Sequence, residues 1–371
     1  MNDWKKVKLS ELGTIVGGGT PSTKKEEYYG GDIPWITPKD LANFGERYIE
    51  HGNRNITLEG LENSSAKILP AGSILFSSRA PIGYIAIAAN NVSTNQGFKS
   101  IIPNSDVDSL FLYYLLKFNK DKIENMGSGT TFKEVSASIM KSIEVFIPTE
   151  IVEQRKISAI LGAIDDKIET SKQINHHLEQ MAITIFESMF TNVSSGQTTI
   201  GKYIIPKRGK NLLSKDAISG RVPVVAGGLQ PSTFHNIANT EHPVLTISAS
   251  GANAGYVNLW HVPVWASDSS YIDSKMSDNV YFWYVMLKRR QQEIYDSQTG
   301  SAQPHIYPKH IEIMPTIELS KKEINLFTKR VTPLFKTVGN NLEEIKNLQN
   351  LRESLLPKLL SGEISVNQAT K

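Results

Sequence analysis

The chain has 371 residues, which predicts two or three domains at about 150 residues each. Apolar residues make up 40% and charged residues 21%, which excludes a disordered or fibrous chain. The net charge of +3 is too small for a general electrostatic grip on nucleic acid, yet it excludes no partner. The absence of cysteine excludes disulfides, thiolate metal sites and cysteine nucleophiles.

The opening MNDWKKVKLSELG lacks the apolar core of a secretory signal. The longest apolar runs, 82–89 and 280–287, fall far short of the ~18–20 residues that cross a bilayer. A soluble, cytoplasmic chain with no membrane partner is expected. Residues 1–149 read as short strands broken by turns, of which Gly17-Gly18-Gly19-Thr20-Pro21-Ser22 is one. An apolar strand, Ile74-Leu75-Phe76, runs into Ser77-Ser78 and then Gly83-Tyr84-Ile85. The run 110–116 (LFLYYLL) has no polar alternation and predicts a buried helix or strand, with core packing as the plain reading of its tyrosines. Over 150–192 the apolar residues Leu161, Ile164, Ile168, Leu178 and Ile185 step by threes, fours and their sums, with Ser171 and Asn175 as interruptions. That spacing predicts a long helix with one apolar seam.

The same features then return in the same order. Gly255-Tyr256-Val257 lies 172 positions after Gly83-Tyr84-Ile85, and the aromatic run 280–286 (VYFWYVM) lies 170 after the first. A second seam, Val331, Val338, Ile345, Leu348 and Leu355 with Asn341 and Arg352 between, follows the first at 170. Matches in one order at offsets near 170 mean a duplication. Pro333 is expected to break the second pattern, so the second long helix should start near it, after a separate short helix over 320–331.

The predicted fold class is α+β. Two tandem mixed α/β modules (1–149 and 193–318) are separated by two long antiparallel coiled-coil helices (within 150–192 and 319–371), with an internal pseudo-twofold repeat. If the seams pair, the second helix must run back along the first as a rod of roughly 45–60 Å. Asn175 and Asn341 are expected to set its register, because an amide in a seam pairs well in only one alignment.

Catalytic signatures are missing. There is no H-E-x-x-H, no G-x-S-x-G and no G-x-G-x-x-G opening a helix. Gly196 to Lys202 begins like a phosphate-binding loop, but Tyr203 stands where Ser or Thr should hold magnesium. Glu344-Ile345-Lys346 sits in the helical seam and reads as a solvated pair. No catalytic residue, cofactor or metal is expected.

What remains is polar chemistry on the loops of both modules. The first offers Thr20, Ser22, Lys24, Lys39, Arg79, Asn95, Gln96, Lys99, Thr130, Thr131 and Lys133, and beside them Arg47, Arg54 and Ser78. The second offers Lys207, Arg208, Lys210, Ser250, Asn253, Asp268, Gln303, His305 and Lys309, and beside them His235 and Ser269. Arg, Lys, Asn and Gln read base edges by paired hydrogen bonds, while Ser, Thr and Lys position phosphates. Their presence in corresponding loops of both halves favours a double-stranded DNA reader over the rival reading, a repeat-built protein-interaction scaffold. A nuclease would need an acidic metal cluster, and none assembles from the sequence.

The chain resembles the specificity subunits of Type I restriction–modification systems. The resemblance lies in Trp4 to Gly13 with Gly18-Gly19-Thr20-Pro21-Ser22, in Ile147-Pro148 followed by Glu153-Gln154-Arg155-Lys156-Ile157, in Val331 to Phe335, and in Leu355 to Gly362. Lys321-Lys322-Glu323-Ile324 departs from the family's Glu-Gln-Arg/Lys-Ile signature in the second half. The resemblance implies two target-recognition domains, each reading half of a bipartite, asymmetric DNA sequence. It also implies helices that set the spacing and bind two modification (methyltransferase) subunits, with restriction subunits completing the complex. It implies no catalytic site in this chain.

Overall fold

The computed structural model describes residues 4–128, 133–300 and 302–369. They form two compact units, Met1–Glu169 with Lys346–Lys371, and Thr170–Ile345. Each unit holds one module and a segment of each long helix.

In unit one the apolar strand is the centre. Ile74–Ser78 lies between Lys99–Pro103 and Ile82–Ala88, and the sheet continues to Gly13–Gly17 on one side and Tyr48–Ile49 on the other. Its alternate residues serve two cores, as the two-residue period of a strand requires. Ile74 and Phe76 pack under the helix Ser109–Phe118, while Leu75 faces Ala86, Ala88 and Phe98. That helix is the first aromatic run, buried from Phe111 to Leu116. Asp108 caps it, accepting from the Phe111 N–H at 2.8 Å, and Gln154 in turn accepts from the Asp108 N–H at 3.0 Å. A second sheet has the order Arg54–Ile56, Tyr29–Ile36, Ser93–Thr94, the last pair parallel. Trp4–Lys8 pairs antiparallel with Glu144–Pro148, which leads into the first long helix.

Unit two repeats this topology. Its main sheet runs Lys207–Arg208, Ser269–Asp273, Val244–Ser248, Val257–Trp260, and its second runs Thr233–His235, Val222–Val225, Trp265–Ala266, again with the last pair parallel. Thr198–Thr199 pairs with Pro315–Thr316. The second aromatic run is the helix Val280–Arg289, buried from Val280 to Leu287.

The first long helix is Ile151–Met189 and the second is Lys321–Leu360. In unit two Asn341 Nδ2 donates to Asn175 Oδ1 at 2.7 Å, and Phe186 and Phe190 meet Phe327. Later residues of one helix meet earlier residues of the other, so the segments run antiparallel. In unit one Ile157 and Leu161 share a core with Leu359 and Leu360.

Two expectations need correction. The second helix does not break at Pro333 but is continuous over Lys321–Leu360. Pro333 is exposed, while Phe327, Val331 and Phe335 are buried on the other face. The missing hydrogen bond therefore opens toward water, and the packed face supplies what the proline costs, about 3 kcal/mol. The buried stripe of the first helix also drifts from the expected seam. Leu161, Ile168 and Asn175 are buried, but Ile164, Leu178 and Ile185 are half-buried, and Asp165 and Phe186 take the inner positions. On the second helix Val331, Val338 and Ile345 are buried, while Leu348 and Leu355 are half-buried.

Candidate nucleic-acid interface

At one end of the main sheet of unit one, separate loops converge. The Ser78 N–H donates to Gly97 O (2.7 Å), and the Val135 N–H donates to Ser78 O (2.9 Å). The Gly19 N–H donates to Thr94 O (2.9 Å), and a Cβ on Gly18 would lie 2.0 Å from Asn95 O, so only glycine admits this approach. Asn95 closes its own turn, its Oδ1 accepting from the Gly97 N–H at 2.9 Å. Thr20 Oγ1 then donates to Gln96 Oε1. Arg79 (3.7 Å) and Lys99 (3.3 Å) both reach Glu134. Thr20, Arg79, Asn95, Gln96 and Lys99 thus form one polar crown, with Lys133 exposed beside Glu134.

Unit two builds a crown on the same backbone. The Ala249 N–H donates to Asp268 O (3.1 Å), the Ile306 N–H to Ala249 O (2.9 Å), and the Lys210 N–H to Ala266 O (2.9 Å). Ser250 bridges to His305 as Arg79 does to Glu134. Here the acid is Asp268, which takes Arg208 at 2.6 Å and the Ser250 hydroxyl. Asn253 sits in a tight turn, its carbonyl accepting from the Tyr256 N–H at 2.9 Å. The His305 ring stacks on Tyr307, centroids 5.9 Å apart.

The remaining candidates scatter. Ser22, Lys24, Lys39, Lys207 and Gln303 are exposed without joining these contacts, and Lys210 joins them through its backbone N–H while its residue stays exposed. Lys309 pairs with Glu312 on its own helix at 2.9 Å. Thr130 and Thr131 lie outside the described residues. Four residues read as loop chemistry are not on the surface. Ser78, His235 and Ser269 are buried. Arg47 is 5% exposed and turns inward to the first long helix, where its guanidinium meets Asp166, Glu169 at 3.4 Å and Gly162 O at 3.4 Å. Although burial opposes it, these hydrogen bonds hold the guanidinium charged. Glu134, which holds Arg79 and Lys99, had no signal in the sequence, since nothing in one dimension marks an acid as the partner of cations 35 and 55 positions away.

Beneath each crown, the aromatic helix meets the long helices. In unit one Asp165 is 4% exposed and accepts from Tyr114 Oη (2.7 Å) and Arg352 Nη1 (2.6 Å). Burial, reinforced by the Asp165 charge, pushes the Tyr114 hydroxyl well above its ordinary value. In unit two the His261 ring lies where a Cβ on Gly339 would meet it at 3.0 Å. Burial, with His242 as a second cause, pulls its imidazole down to about 4. Among the described residues no group of three His, Asp or Glu side chains is placed to hold a metal ion, and no helix is long and apolar enough to cross a membrane.

Comparison with known proteins gives this arrangement its family. Residues 1–180 match the family described as the Type I restriction modification DNA specificity domain. The Type I restriction enzyme MjaIX specificity subunit of Methanocaldococcus jannaschii is 34% identical, over 99% of this chain and 94% of that protein. The EcoR124I/EcoR124II specificity subunit of Escherichia coli is 32% identical over 44% of this chain and 41% of that protein. The fold is shared with the crystal structure of a Type I restriction–modification system S subunit from M. genitalium, at a TM-score of 0.64 and 20% identity over 97% of this chain and 96% of that one. The chain belongs to the specificity subunits of Type I restriction–modification systems, whose role is recognition of the DNA target.

Proposed function

We propose that the chain reads a bipartite DNA target, one half-sequence with each crown, and that its two long helices set the gap between the halves. The observation that carries this reading is the duplication of the crown. The same backbone hydrogen bonds tie residues 78, 97 and 135 in unit one and 249, 268 and 306 in unit two, yet different side chains project from them. Such a repeat offers two readers of unlike chemistry, which suits an asymmetric target. Arg79, Asn95, Gln96 and Lys99 on one side, and Arg208, Ser250, Asn253 and His305 on the other, are the base- and phosphate-contacting residues. The helices also dock two modification (methyltransferase) subunits, and restriction subunits complete the assembly. The chemistry belongs to those partners, so the chain is non-catalytic and needs no cofactor of its own.

The test is methylome sequencing of cells carrying this chain with its modification partner. Exchanging residues 1–149 for the first module of another specificity subunit should change one half-sequence and leave the other. A change in both halves, or in neither, would refute the two-reader arrangement. Inserting four residues after Ser171 adds roughly 6 Å of helix. At ~3.4 Å per base pair, the unspecified gap should lengthen by about one or two base pairs with the half-sequences kept. An unchanged gap with methylation retained would show that the helices do not measure the DNA.

A further inference from the structure

Between the central and outer strands of its second sheet, unit one carries a loop that unit two lacks. Tyr29–Ile36 is joined to Arg54–Ile56 through residues 37–53, which include the edge strand Tyr48–Ile49 of the main sheet, whereas Val222–Val225 is joined to Thr233–His235 through residues 226–232 only. The longer loop is tied down. The Asp40 carboxylate accepts from the Thr37 N–H (2.7 Å), the Thr37 hydroxyl (2.6 Å) and the Asn53 N–H (2.9 Å). A Cβ on Gly52 would lie 2.9 Å from both Asp40 and Trp35 O, so the chain can turn back there only as glycine.

This fold-back makes a ledge. Residues 51–55 line one wall of an open cleft of about 590 Å³, and Gly30 and Gly31 line the other. Its side chains are His51, Asn53, Arg54 and Asn55, all hydrogen-bond donors, and no carboxylate lines it. Of the acids near it, Asp40 is spent on the loop's own N–H groups, while Glu50 and Asp32, next in sequence to His51 and Gly31, are exposed and do not line the cleft. Arg54 does not swing freely, because its guanidinium lies over the Tyr29 ring at 4.2 Å from the centroid. An exposed guanidinium held over an aromatic ring, in an open cleft lined by donors and glycines, is a receptor for an anion on an extended polymer.

The ledge joins the crown by two routes. Arg54 is in register with Trp35, and Trp35 with Ser93, which enters the Asn95–Gln96 turn. The Tyr29 hydroxyl under Arg54 donates to Pro21 O at 2.7 Å, next to Thr20, which holds Gln96. Strands sit ~4.8 Å apart, so Arg54 lies about two strand spacings from the start of the reading turn.

We propose that this ledge, with Arg54 as its central cation and Lys39 exposed on the Thr37–Asp40 turn that anchors it, grips the phosphate backbone flanking the first half-sequence, giving unit one a longer DNA footprint than unit two. The proposal rests on the reading of DNA by the crowns, and its test separates the two. Arg54→Gln, and Arg54→Gln with Lys39→Gln, are compared with Arg79→Gln in the complex with the modification subunits, on duplex carrying the target. Binding is titrated over a range of salt. The slope of log affinity against log salt should fall by about one for each ledge cation removed, with the methylated sequence unchanged. Hydroxyl-radical protection should retreat on the outer side of the first half-sequence only. An unchanged slope for the ledge variants, while Arg79→Gln weakens binding, would overturn the ledge and leave the crown standing. No effect from any of the three would overturn the DNA reading itself. A change in the recognised sequence on losing Arg54 would make it a base reader and overturn the backbone assignment. Failure of the ledge variants to assemble with the modification subunits would make the ledge a protein contact.

Discussion

The two units solve one packing problem in opposite ways. Where the aromatic helix of unit one meets the long helices, Tyr114 and the half-buried Arg352 both bind the buried Asp165 carboxylate. The positions 170 residues on, or back for Arg352, hold Tyr284, Phe335 and Ala182. There Tyr284 packs edge-on to Phe335 at 5.7 Å, and Tyr281 stacks on it at 4.7 Å. The backbone, the helix pairing and the tyrosine are common to both. The polar version fixes one register because its partners must meet, while the aromatic version gains mainly by area, its Tyr284 hydroxyl donating to Glu179 at 3.4 Å. After duplication, the same site was free to take either form because volume was nearly conserved when charge was exchanged for ring.

That contrast can be broken directly. Asp165→Leu leaves the buried Tyr114 hydroxyl and the half-buried Arg352 without their acceptor and should destabilise unit one by up to about 3 kcal/mol. The double change Asp165→Phe with Arg352→Ala copies unit two and should cost far less, close to neutral. Hydrogen exchange of the amides of Ser109–Phe118 reads both. A double variant as damaged as the single would mean that the two sites are not equivalent.

The crowns offer a smaller effect. Glu134→Gln releases Arg79 and Lys99, and Asp268→Asn releases Arg208 and Ser250. Each should relax one half-sequence, by roughly 1–3 kcal/mol of discrimination at the affected base pair. Methylome sequencing of the two variants should show two separate losses. Relaxation of the same half by both would deny the crowns their separate readers.

The smallest effect is a pH dependence confined to unit two. His261 has a folded value of about 4 against an ordinary 6.5. Above pH 6.5 it is neutral in both states and costs nothing. As pH falls from about 6.5 to about 4 only the unfolded chain takes the proton, so stability is lost across that window. His261→Gln should flatten this loss in thermal melts, and a slope unchanged by the substitution would assign the titration elsewhere.

The sequence alone determined the duplication, the two long helices and the burial of both aromatic runs. Each of these is written in local periodicity or in repeated order, which one dimension preserves. It also marked most of the crown, since Arg, Asn, Gln and Ser beside glycine turns are unlike core residues. What it misjudged came from distance. Pro333 looked like a helix end, yet a buried face on the far side of the helix overrides a local preference. Arg47 looked like a reader, and only the fold places it against Asp166 and Glu169. Nothing local marks Asp165 or Glu134, and each becomes the holder of distant cations only when loops and helices from far along the chain are brought together. Electrostatic partnership is set by separation in space, and tertiary structure alone decides it.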